Sequence, residues 1–243
     1  MGVARKILGI EIRRDRKEKK LLLTQQSYIE KAVIKKFNME DGKETQVPLA
    51  GLCPILVKNH WTGLKWLLRY RKTTSNYGLK FEKTSNTLKL EGFINADYAS
   101  NKDTRKSITS YCFQLNSCCI NWKSQLQHVV ALSTKKFEFM TITEAFKEAT
   151  WIKGILQEIG MLKEKVSMFS DNQSAIHLSK NPVYHERSKH IHIRMFWIED
   201  KIELGEIELE KVPSDENTAD PGTKMLPVSK FRYFMDLLKL GPV

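Results

Sequence analysis

Gly92-Phe-Ile-Asn-Ala-Asp97 is the phrase around which the rest of the chain can be ordered. It opens a stretch from Glu91 to Asp220 in which three further segments end on a residue able to hold a metal ion. These are Ala131-Leu-Ser-Thr-Lys-Lys-Phe-Glu138, Val166-Ser-Met-Phe-Ser-Asp171-Asn and Asn217-Thr-Ala-Asp220-Pro-Gly-Thr-Lys224. Asp97 and Asp171 each stand where an apolar run stops. A strand that delivers a carboxylate at its end, repeated with helices between, builds a site along one edge of an α/β sheet. Converging Asp and Glu without His or Cys suit Mg2+ or Mn2+, and the usual substrate of such a site is a phosphate ester.

Periodicity on either side supplies the scaffold. Alternation predicts strands over 88–97, 110–115 and 118–123, the last two joined by the two-residue turn Asn116-Ser117. Helical spacing predicts a long helix over 134–160, with Phe137, Met140, Ile142, Ala145, Ala149, Ile152, Ile155, Leu156 and Ile159 on its apolar face. A strand over 166–170, helices over 172–179 and 188–204, a strand over 206–212 and a helix over 228–240 complete an order of β-β-β-α-β-α-α-β-α. Strands four and five arrive through helices, so they can lie parallel to strand one. Asn95 or Asp97 then meets Asp171 at one end of the sheet, the early helical Glu138 comes back across it, and Asp220 closes the cluster. Singly, each acid has another role open to it: Asp171 could cap the following helix, and Asp220 before Pro221 suits a helix start.

Before residue 88 the pattern differs. A strand over 5–14, a charged turn and a return over 21–24 predict a hairpin, followed by a helix over 25–37. Residues 38–59 carry Gly42, Pro48, Gly51 and Pro54 and suit a linker, and a short helix follows over 60–70. Trp61, Trp66 and Trp122 are expected to pack into the core.

Length and composition bound the function classes. The 243 residues, 41% hydrophobic and 28% charged, are enough for one large or two small domains. No apolar run reaches the roughly 20 residues needed to span a bilayer. The start lacks a signal-peptide core, and Lys6 disfavours myristoylation, so the expected location is intracellular, cytoplasmic or nuclear. Cys53, Cys112, Cys118 and Cys119 show no CxxC spacing and suit reduced thiols. His185, His190 and His192 fit no zinc pattern and suit a surface. The net charge of +12 is unevenly placed: residues 1–90 hold 20 Lys and Arg against 8 Asp and Glu, whereas residues 91–243 balance at 20 each. A basic flank beside an acid-bearing domain suits a polyanionic partner.

Together these phrases resemble the end of the Pol polyprotein of copia-type LTR retrotransposons, a reverse-transcriptase tail followed by a ribonuclease H domain. The resemblance is carried by Lys6-Ile-Leu-Gly-Ile-Glu-Ile12, His60-Trp61, Lys65-Trp-Leu-Leu-Arg-Tyr70, Ser75-Asn-Tyr-Gly-Leu79 and Asn121-Trp-Lys-Ser124. It continues in Val130-Ala-Leu-Ser133, Asp171-Asn-Gln-Ser-Ala-Ile176, Ser188-Lys-His-Ile191 and Ala219-Asp220 with Thr223-Lys224. It implies an α/β, RNase H-like mixed five-stranded sheet with flanking helices over residues 88–243, preceded by a small α+β reverse-transcriptase remnant over residues 1–87. It also implies Mg2+- or Mn2+-dependent cleavage of the RNA strand of RNA–DNA hybrids, with Glu138, Asp171 and Asp220 as catalytic metal ligands and no membrane partner. His190 is carried over as a residue near the scissile site.

The departures shape the expectation as much as the matches. Where the family has Gly-Tyr-x-Asp-Ala-Asp, the first and catalytic acid is here Asn95. Asp97 lies on the same face of the strand but about 6–7 Å along it, so it is at best a weak substitute. No Tyr-x-Asp-Asp motif for polymerase chemistry is present, and the family's long connection between Gly51 and His60 is largely missing. The expectation is a shortened, degenerate copy whose nuclease is impaired or lost, the alternative being a non-catalytic nucleic-acid-binding remnant.

Overall fold

The computed structural model describes residues 3–43, 45, 60–82, 87–97, 105–127, 134–162, 165–180 and 189–243, with backbone alone at 60, 134–136, 178, 180, 189–193 and 195. Most of the expected linker, the phrase Val130 to Ser133, Cys53 and His185 lie outside the described residues. The chain folds as two compact units, residues 1–84 with 225–243, and residues 85–224.

The first unit begins with β1 (Lys6–Ile7), β2 (Ile10–Asp15) and β3 (Lys20–Thr24). The single strand expected over 5–14 is broken because Leu8 and Gly9 both take positive φ, 47° and 84°. The helix expected over 25–37 is a turn of α1 (Gln26–Tyr28) that widens into a π-helical segment, Ile29–Ile34. Then follow α2 (His60–Thr73) and a strand the sequence pattern does not signal, β4 (Tyr77–Glu82).

The second unit holds β5 (Leu90–Asp97), β6 (Ile108–Leu115), β7 (Cys118–Leu126), α3 (Thr134–Glu158), β8 (Val166–Ser170), α4 (Gln173–Lys180), α5 (Lys189–Glu203) and β9 (Ile207–Lys211). Its sheet runs β7-β6-β5-β8-β9: an antiparallel meander of β5, β6 and β7, with β8 and β9 parallel to β5. This is the mixed five-stranded α/β sheet of the RNase H-like fold. Asn116 and Ser117 take positive φ, 49° and 65°, as a two-residue hairpin turn requires. β9 leads to a short 3-10 turn, Asp220–Gly222.

The chain closes with α6 (Val228–Leu237) and β10 (Leu240–Pro242). Here the expectation of one domain over 88–243 needs correction. Lys239, at a φ of 55°, ends the helical path, and β10 pairs antiparallel with β4, Gly241 opposite Gly78, completing the first sheet in the order β1-β2-β3-β4-β10. Residues 225–243 therefore belong to the first unit.

The core of the second unit lies between α3 and one face of its sheet. Phe139, Ile142, Ala145, Phe146 and Ala149 of α3 close over Ile94, Tyr111, Phe113, Val166, Met168 and Leu209. Ile152 and Leu156 keep to that line, but Ile155 and Ile159 are exposed, against expectation: Ile155 lies about 100° round the helix from Leu156, and Ile159 follows the helix's last residue, Glu158. The tryptophans also depart from expectation. Trp61 is 61% exposed and Trp122 68%, while Trp66 is borderline. On β7, Asn121 bonds Glu148 of α3 and the Lys123 ammonium lies over the Tyr111 ring, so alternation turns Trp122 to the opposite side of the sheet. Cys112, Cys118 and Cys119 are buried and form no disulfide. No helix among the described residues is long and apolar enough to cross a membrane.

Candidate functional site

The parallel pairing of β5 with β8 sets the site. The last registered pair is Ile94 with Ser170, so the next residue on each strand, Asn95 and Asp171, leaves the sheet at the same edge. Both line a cleft of about 400 Å³ together with Ala96, Asp97, Glu138, Asn172, Thr223 and Lys224. Four of the expected residues, Asn95, Asp97, Glu138 and Asp171, thus border one cavity. The fifth, Asp220, is fully buried and is held by two residues that line it, Asn95 and Lys224.

Asp220 is placed by a segment sewn across β5, β6 and β7. The Asn217 amide donates to the Ile94 carbonyl at 2.9 Å, Gln114 donates to the Thr218 hydroxyl at 3.0 Å, and the Ser124 hydroxyl donates to the Gly222 carbonyl at 2.5 Å. The 3-10 turn that Pro221 pre-sets then brings Asp220 against Asn95, whose Nδ2 donates to Asp220 Oδ1 at 2.8 Å. The same oxygen receives the Lys224 ammonium at 2.7 Å, and Thr223 Oγ1 lies 3.5 Å from the Asn95 amide.

At the other end of the cleft, Asn172 Nδ2 donates to Glu138 Oε1 at 2.8 Å, and Ser214 Oγ donates to Asp171 Oδ2 at 2.8 Å. Asp171 is not the cap of α4. That role falls to Asn172, whose Oδ1 accepts from the Ala175 amide at 3.0 Å. Burial pushes the Glu138 carboxyl up to about 7; the Asn172 bond opposes this and the neighbouring Asp171 charge adds to it. Asn172, Ser214, Thr223 and Lys224 are site residues to which the sequence motifs assign no role. Asn172 and Lys224 stand inside those motifs, whereas nothing in the pattern singles out Ser214. His190 and His192 lie on α5, with their side chains outside the described residues.

The retrovirus-related Pol polyprotein from transposon TNT 1-94 of Nicotiana tabacum is 35% identical over 289 residues, covering 98% of this chain. The chain belongs to the retrovirus-related Pol polyproteins of transposons. A second Pol polyprotein, from transposon RE1 of Arabidopsis thaliana, is 34% identical over 73% of the chain. The chain spans 22% and 12% of these two Pol relatives. The 289 aligned residues exceed this chain's own 243, so the tobacco relative carries residues without a counterpart here. Among solved structures, LC11-RNase H1 in complex with an RNA/DNA hybrid overlays on 56% of this chain and 94% of its own, with a TM-score of 0.41 at 11% identity. No family model matches the chain.

Whether these residues fit a pair of divalent ions can be judged from their charges and bonds. Hard dications need several anionic oxygens converging at one point. Here the Asp220 oxygen facing Asn95 already accepts from an amide and an ammonium, and Asn95 presents hydrogens to it. Among the described residues no three His, Cys, Asp or Glu side chains form a metal-binding group. The expected ligands are thus divided: Glu138 and Asp171 border the cleft, and Asp220 is engaged behind it. As built, the site does not fit a two-ion centre.

Proposed function

We propose that this chain is an RNase H-like domain of transposon Pol origin, descended from an RNA–DNA hybrid ribonuclease, in which phosphodiester cleavage is silenced at Asn95. The observation that carries the reading is the Asn95–Asp220 hydrogen bond of 2.8 Å. In a hydrolytic site of this kind, an acid at position 95 would help Glu138 and Asp171 hold a divalent ion, which would supply the activation of a water. A neutral amide contributes none, and its donor is spent on a neighbouring carboxylate. Glu138 and Asp171 remain at the cleft, and Asp97 lines it at a displaced position.

In this reading residues 1–87 derive from the reverse transcriptase, and the product acts inside the cell. The partner is an RNA–DNA hybrid, with Mg2+ or Mn2+ required only once an acid is restored at position 95. The test compares cleavage of a labelled hybrid by the natural chain, Asn95→Asp and Asn95→Asp with Asp171→Asn. Cleavage confined to Asn95→Asp supports the reading.

A second reading has its own observation. The whole excess charge of +12 lies within residues 1–90, and counterion release from a polyanion would give affinity without catalysis. Steeply salt-dependent hybrid binding, with no cleavage by Asn95→Asp under any divalent ion, favours this non-catalytic binder.

A further inference from the structure

Asp220 is 1% exposed at its side chain, and a carboxylate so buried persists as an anion only with a partner charge and hydrogen bonds in place. Both are present on one oxygen: the Lys224 ammonium at 2.7 Å and the Asn95 amide at 2.8 Å. The charges at this end of the cleft are one negative, one positive and one neutral. We infer that Lys224 is the permanent counter-ion of Asp220, so that this end of the site is electrically complete as folded and takes up no divalent cation. The inference rests on the RNase H-like reading of the site and states what balances the charge of Asp220.

Charge and geometry agree on this point. A dication approaching Asp220 would meet the Lys224 ammonium and the hydrogens of the Asn95 amide. Turning the amide to offer its carbonyl oxygen would break the bond to Asp220 and gain only a neutral ligand. Asparagine and lysine therefore act together. With an aspartate at position 95, two carboxylates would face one ammonium, leaving a net negative charge that a dication could neutralise. Lys224 sits four residues after Asp220, across the turn, and its side chain is half-exposed. The buried carboxylate is thus compensated from the solvent side by a residue carried on its own segment.

The test needs no nucleic acid and no activity. Thermal unfolding and isothermal titration with Mg2+ and Mn2+ are compared for the natural chain, Asp220→Asn, Lys224→Met, Lys224→Arg and Asn95→Asp, with circular dichroism reporting folding. The natural chain is expected to show no saturable ion binding and no Tm response beyond that of Asp220→Asn. Lys224→Met is expected to lower Tm in chelator by roughly 3–10 °C, with Mn2+ restoring part of the loss, and Lys224→Arg to restore it without metal. Asn95→Asp is expected to bind the ions. Saturable binding by the natural chain that Asp220→Asn removes would overturn the inference. So would a Lys224→Met protein whose Tm matches the natural chain's with and without metal. Should Lys224→Met fail to fold, Lys224→Arg and Asn95→Asp still decide. A chain that binds no ion even as Asn95→Asp, while Lys224→Met behaves as expected, leaves the counter-ion standing and removes the nuclease reading instead.

Discussion

The amide nitrogen of Asn172 lies 2.8 Å from Oε1 of Glu138, while the oxygen of the same amide caps α4 through the Ala175 backbone. The cap fixes which way the amide points, so its donor has one acceptor to serve. Asn172→Asp keeps an oxygen for the cap and replaces the donor with a negative charge against Glu138. The variant should match the natural chain near pH 5, where a proton can be shared. By pH 8 it should be less stable by about 1–3 kcal/mol. Chemical denaturation at both pH values checks this, and equal losses at both would contradict the assigned orientation.

Glu138 itself gives a pH dependence with a definite sign. Its carboxyl is raised from 4.5 to about 7 in the folded chain, chiefly by burial. The folded state therefore binds the proton more tightly than the unfolded state between those values, and stability falls as pH rises through that window. Above about pH 7 the loss is complete, at about 3 kcal/mol. Denaturation from pH 4 to 8 should show this slope, and Glu138→Gln should flatten it.

The turn that carries Asp220 depends on a missing side chain. A methyl group at Gly222 would meet Ser110 Oγ and approach Ser110 Cβ to 3.0 Å. Gly222→Ala should destabilise the chain by about 1–3 kcal/mol, and Ser110→Ala should recover part of that loss. Double-mutant unfolding measurements settle it, and strict additivity would place the strain elsewhere.

Much of the second unit was legible because its strands and long helix carry clean periods. Leu90 to Asp97, Val166 to Ser170 and the stretch following Glu206 alternate, and the apolar spacing of α3 is unbroken through Leu156. Given those elements, the parallel neighbours β5 and β8 bring Asn95 and Asp171 together by register alone. The strand β4 was not legible: Tyr77 to Glu82 is short, and its partner β10 lies at the far end of the chain, so no local signal marks the pair. The exposure of Trp122 was hidden for a related reason, since alternation says which residues share a face but not which face is covered. The partners of the acids carry the weakest sequence signal. Lys224 lies four residues from Asp220, a spacing that allows a counter-ion, but Ser214 meets Asp171 only through the return of β9.

The central claim is that the amide at position 95, bonded to Asp220, is what silences an RNase H-like site. Its most direct test is cleavage of a labelled RNA–DNA hybrid in Mg2+ or Mn2+ by the natural chain and by Asn95→Asp, both verified as folded. The account predicts no cleavage by the natural chain, cleavage by Asn95→Asp, and its loss when Asp171→Asn is added. Cleavage by the natural chain that Asp171→Asn abolishes would contradict it.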